Sequence, residues 1–169
     1  MKKLFFAAIA IAALASCNKD QVINFDKFPI NFGDAFVDNA TKALYDNANH
    51  VKEFKVWGNV QGTNATPVAL YGDAGATVTR GGADLGAAWT CSVTRYWTPN
   101  CTYNFAAIAN GTAAECVNGI PTKISYTVNP TDPADLIYSG NVTAETDANS
   151  VPISGVNTNK VVAFTMKHL

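Results

Sequence analysis

The sequence has 169 residues, with 12 Lys and Arg, 13 Asp and Glu and two His. Charged residues make up 15% of it, below the roughly 25% usual for globular domains. It has no basic run or basic–aromatic stripe, which argues against nucleic acid as a partner. Asn and Thr supply 17 residues each; Thr suits strands and Asn suits turns, so the composition points to an exported all-β protein.

The N-terminus sets the compartment. "MKKLFFAAIAIAALASC" places Lys2 and Lys3 before an apolar run from Leu4 to Leu14, then the small residues Ala15 and Ser16. That is the charge order of a secretory signal peptide. The apolar run spans about 16 Å as a helix, too short for a hydrocarbon core of about 30 Å. Leu14-Ala15-Ser16-Cys17 resembles the lipobox of bacterial lipoproteins. Small residues let a peptidase close on the backbone there, and the Cys17 thiol carries the diacylglycerol. The expected organisation is a signal peptide over 1–16, a lipidated tether over 17–22 and one domain over 23–169. The mature chain from Cys17 has 153 residues, enough for one domain with a core. Without Lys2 and Lys3 it carries 10 basic against 13 acidic residues.

Beyond the polar tether, "INF" occurs at Ile23–Phe25 and again at Ile30–Phe32, the second being the better strand. "DAFVDNATKALYDNANH" is the one helical candidate, with Asp38 or Asn39 as its cap. From there the pattern is strand and turn. "EFKVWGNV" alternates Phe54, Val56 and Val60 against Lys55, Trp57 and Asn59. "TPVALYGDAG", "ATVTRGG", "AAWTCSVTRYW", "TYNFAAIA", "TKISYTV", "ADLIYSGNV" and "KVVAFTMKHL" follow, separated by Gly, Pro, Asn and Asp. In the last, Val162, Phe164, Met166 and His168 share one face. Short strands with such turns predict a β-sandwich. Phe54, Val56, Phe105, Ile124, Tyr126 and Phe164 are its expected core.

Cys91, Cys101 and Cys116 remain in the mature chain besides Cys17. In an exported domain three thiols allow one disulfide in three ways. Their spacing fits no zinc pattern. Asp132 and Asp135 near Glu145 fit a turn better than calcium, which takes six or more oxygens. No Gly-x-Ser-x-Gly, nucleotide-binding glycine loop or His-Glu-x-x-His occurs, and His50 and His168 form no recognisable dyad. No metal, cofactor or enzymatic activity is expected.

An ordered set of residues carries a family resemblance: Phe54-Lys55-Val56-Trp57-Gly58, Trp89, Arg95-Tyr96-Trp97-Thr98-Pro99, Tyr103-Asn104-Phe105-Ala106-Ala107, Ile124-Ser125-Tyr126-Thr127-Val128, Asp135-Leu136-Ile137-Tyr138, and Val161 to Leu169. Behind a lipobox, this set resembles the N-terminal half of the fimbrillin family of Bacteroidetes lipoproteins, the Mfa-like and FimA-like surface proteins. The likeness covers about residues 23–169. It implies a transthyretin-like Greek-key sandwich of about seven to eight strands with at most one short helix. It implies outer-membrane export and a role as stalk, anchor or tip of a pilus, with "PINFGDAF" as the strand that stalk subunits exchange. Stalk subunits are cut after an early arginine; between Cys17 and Trp57 this sequence has lysines but no arginine. Family members also carry a second β-domain, before which this sequence stops. An anchor-like or accessory subunit is therefore expected, with fimbrial subunits or surface ligands as partners. The other reading is a surface module that binds glycans or host ligands without assembling. Trp57 and Trp97 are its candidate stacking surfaces, against the plainer reading of core aromatics. Arg95 is expected to lie across an aromatic face.

Overall fold

The computed structural model describes residues 28–37, 51–82, 87–128 and 135–169. The strands are β1 (Asn31–Val37), β2 (Glu53–Gly62), β3 (Val68–Ala69), β4 (Ala76–Arg80), β5 (Trp89–Cys91), β6 (Cys101–Ala109), β7 (Thr112–Val117), β8 (Ile120–Ser125), β9 (Ile137–Thr146), β10 (Pro152–Ser154) and β11 (Val161–His168). The described residues are all-β and contain no helix.

One mixed sheet runs in the order β1-β11-β9-β6-β2-β4-β5, with β10 added beside β9 and β3 beside β2. Its centre is the long antiparallel ladder of β2 with β6, from Lys55 opposite Ile108 to Gly62 opposite Cys101. β6 pairs in turn with β9. β1 runs parallel to β11, Asn31 opposite Val161 and Val37 opposite Met166. The sheet then curls until its ends almost meet. Just before β1, the Ile30 amide donates to the Arg95 carbonyl at 2.8 Å, and the Trp97 amide donates to the Phe28 carbonyl at 3.0 Å. Pro29 bridges Tyr96 between them. The result is a nearly closed barrel of seven strands.

The expected sandwich is thus corrected to a barrel. Both need alternating strands; the difference is how far the sheet coils. Register shifts in the β6–β9 pair between Phe105 and Ala107, and in the β1–β11 pair between Gly33 and Phe36, add local twist. Gly58 helps as well. A Cβ there would come within 2.6 Å of the Phe105 ring, so the missing side chain lets β2 close over it. Closure also removes most exposed strand edge.

The inner face forms one core. Phe54 and Val56 of β2, Tyr103, Phe105 and Ala107 of β6, Val162, Phe164 and Met166 of β11, and Ile30 and Phe32 before and within β1 all belong to it. Phe32 meets Phe105 edge-on at 5.4 Å and lies parallel to Phe164 at 6.0 Å, and Phe54 meets Phe164 at 5.6 Å. Rings from four strands converge, as a barrel interior filled by side chains requires.

A separate hairpin of β7 and β8 lies against the outside of β2 and β6. It covers the opposite parity of those strands. Trp57, Ala106 and Ile108 are buried although they point away from the barrel axis. The Trp57 indole N–H donates to the Asp73 carbonyl at 2.9 Å. The Asn59 amide donates to the Asn118 carbonyl in the hairpin turn at 3.0 Å. Gly119 follows at φ +74°, where a Cβ would meet Ala69 at 2.6 Å.

Other expectations change in detail. The helical candidate from Asp34 to His50 begins as strand β1, and 38–50 lies outside the described residues. Eleven strands stand among the described residues where about seven to eight were expected; β7 and β10, which carry no clear alternation, are two of the additions. "AAWTCSVTRYW" is strand only at Trp89–Cys91 before it bends. Phe54, Val56, Phe105 and Phe164 are buried as expected; Ile124 and Tyr126 are only half-buried, because β8 has solvent behind it.

Candidate functional site

A depression of about 210 Å³ is lined by Glu53, Lys55, Asn110 and Gly111, with Phe54, Ile108 and Ala109 beneath. Small-molecule sites usually enclose about 300–1,000 Å³. The depression lies at one end of β2 and β6, and its lining residues include no Ser, Cys or His.

Trp57 and Trp97, the candidate stacking aromatics, are corrected to core residues. Trp57 is 0% exposed and Trp97 1%. Trp57 is enclosed against the turn that holds Asp73 and Gly75, and Trp97 stands edge-on to Tyr103 at 4.7 Å inside the barrel. Neither indole presents a face to a ligand. Arg95 is not across an aromatic ring; its Nε donates to the Leu70 carbonyl at 2.7 Å. The cation over a ring is Arg80, its guanidinium 5.8 Å from the centre of Trp89. Arg80 is buried because it follows Ala76 and Val78 on the inward parity of β4. That parity was readable in "ATVTR", but a strand-terminal arginine ordinarily faces solvent.

The three cysteines of the domain, among which one disulfide was possible, are free thiols. Cys91 sits opposite Val78 on β4, Cys101 opposite Gly62 on β2, and Cys116 opposite Pro121 on β8. Burial pushes all three thiols up, which keeps them protonated and weakly nucleophilic. The Cys101 thiol donates to the Pro99 carbonyl at 3.2 Å.

Asp135 and Glu145 are near the two ends of β9, about 30 Å apart along an extended strand, and cannot share an ion. Asp135 instead pairs with His168 at 3.0 Å, in a His side chain largely enclosed at the end of β11. Asp132 lies outside the described residues. Across the outer face, Thr143 donates to Asn104 at 3.0 Å, Asn104 to Asn59 at 3.1 Å, and Asn59 to the hairpin. This amide ladder clamps strands and hairpin together.

Chemistry therefore concentrates ahead of the barrel, in the segment carrying Cys17, which lies outside the described residues. Residues 1–18 match the model described as the prokaryotic membrane lipoprotein lipid attachment site. Cys17 is the single cysteine in that span. The chain is thus a bacterial membrane lipoprotein, its lipid attached at an N-terminal cysteine. Comparison with curated proteins and with solved structures found no match.

Proposed function

We propose that this lipoprotein is displayed on the outer membrane as a fimbrial or pilus-related subunit, anchor-like or accessory in adhesion rather than catalytic. The observation that carries the reading is a lipid attachment site set ahead of an all-β barrel. The fimbrillin-like residues Val56, Trp57, Trp97, Tyr103, Phe105 and Phe164 are all buried, which makes the resemblance one of core packing. "PINFGDAF" corresponds to β1 and its approach, whose Ile30 and Phe32 fill the core. No arginine stands ahead of it for processing. These features favour a retained subunit over a polymerising stalk. Other fimbrial subunits and surface ligands are the proposed partners. The ligand-binding alternative rested on Trp57 and Trp97 and draws no support from enclosed indoles.

Two measurements test this. Palmitate labelling and outer-membrane sedimentation should both be lost in Cys17→Ala; equal label in the variant would reject the lipid anchor. Fibres sheared from cells should change in yield or attachment when the chain is deleted. Unaltered fibres that never carry it would reject the fimbrial role while leaving the anchor intact.

A further inference from the structure

Arg80 closes strand β4 as a buried charge, 8% exposed. Its partner in the ladder is Trp89 of β5, and the guanidinium carbon stands 5.8 Å from the centre of that ring. Trp89 is itself held in place. Its ring packs at 5.2 Å against Phe54 and closes on Gly33 of β1, where a Cβ would come within 3.2 Å of the indole.

An aromatic face attracts the cation but accepts none of its in-plane N–H bonds well. The Arg80 Nε is closed off from solvent and has no acceptor among the described residues. None of their carboxylates pairs with it. Glu53, the acid nearest by register, sits opposite Thr79 on the other parity of β4 and takes the Thr79 hydroxyl at 3.5 Å. A guanidinium does not deprotonate in a protein, so it cannot escape burial by losing its charge. Left uncompensated, a buried charge is costly. The surroundings favour an anion as the compensation. The Arg80 amide donates to the carbonyl of Lys52 at 2.9 Å, and Lys52 adds a second, exposed cation. Gly81 and Gly82 follow Arg80, and Ala87 and Ala88 lead into Trp89, so the flanking residues carry little bulk.

We propose that Arg80, backed by Trp89, is an anion site that takes the carboxylate or phosphate group of a small ligand. Two oxygens of such a group match the planar fork of a guanidinium side by side, which neither chloride nor a single carbonyl does. The site is built from β4 and β5 and is independent of the Cys17 lipid and of any fimbrial role.

Trp89 reports on it. The full lipidated chain in detergent micelles is titrated with sodium acetate and with sodium phosphate near pH 7, against sodium chloride at equal ionic strength. Tryptophan emission should change saturably with at least one of the two oxyanions and not with chloride; the one that acts tells carboxylate from phosphate. Trp89→Phe leaves Trp57 and Trp97 in place and should abolish the change. Arg80→Lys keeps the charge without the fork and should weaken binding about tenfold. Arg80→Gln should abolish binding, and the anion should raise the melting temperature of the parent but not of this variant; Arg80→Lys decides if Arg80→Gln does not fold. A response equal to that of chloride, one that survives Trp89→Phe or Arg80→Gln, or no saturable response would overturn the proposal. The last is the result expected if Arg80 only caps the core over Trp89. Asp84, four residues further on, lies outside the described residues. Binding that appears only in Asp84→Asn would also overturn the proposal, since the cation would then be held by its own chain.

Discussion

At the scale of single residues, the inner core sets the largest effects. Phe105 is fully enclosed and touches Phe32, Trp97 and Tyr103. Phe105→Ala should cost about 3–5 kcal/mol in chemical denaturation. Tyr71 should behave differently. Its ring is buried against Phe32, and its hydroxyl has no hydrogen-bond partner among the described residues. Burial, then the neighbouring Cys91, pushes the phenol well above its ordinary 10.0, with Arg95 opposing. The folded state therefore keeps the proton after the unfolded chain has lost it. That contribution is whole below pH 10 and declines as pH rises beyond it. Tyr71→Phe should be about as stable as the parent at pH 7 and should lose less stability between pH 10 and 11. Urea titrations of both proteins across that range measure this; parallel curves would refute the account.

At the scale of elements, the hairpin of β7 and β8 is the most separable part. It shares no ladder with the barrel and is held by Asn59 and by the close seat of Gly119. A side chain at residue 119 would be strained at positive φ and would also strike Ala69. Gly119→Ala should cost about 1–3 kcal/mol. Its first sign should be faster hydrogen exchange at β7 and β8 amides, with β2 and β6 hardly altered. The period of "EFKVWGNV" was legible, including its two apolar parities. What covers the second parity was not, because "TAAECV" has small and charged residues and none of the alternation that announces a strand. The hairpin packs against β2 and β6 because the outward apolar parity of central strands leaves area to bury.

At the scale of the whole molecule, the closing seam is the weak line. Two backbone hydrogen bonds and one bridge join residues 28–30 to 95–97, against an eight-residue register between β2 and β6. Native-state hydrogen exchange should find the Ile30 and Trp97 amides opening well before those of β2 and β6. Equal protection at seam and centre would mean that closure is more cooperative than the ladder implies. Opening there exposes Ile30 and Phe32, so a barrel parted at the seam should bind hydrophobic dyes before it unfolds.

The sequence by itself determined that the chain is a membrane lipoprotein and which cysteine anchors it, since peptidase and lipid transferase read a linear segment whose chemistry is complete before folding. It also determined most strands and their inward residues, because a period of two is local and Phe54, Val56, Phe105 and Phe164 obey it without reference to partners. Tertiary structure alone decided the rest. Sandwich and barrel ask for the same alternation, and only coiling brings residues 28–30 against 95–97. Trp57 and Trp97 could serve a surface or a core, and only the elements laid over them enclose both. Three thiols permitted three bridges; strand order put each opposite a different neighbour and left all three free.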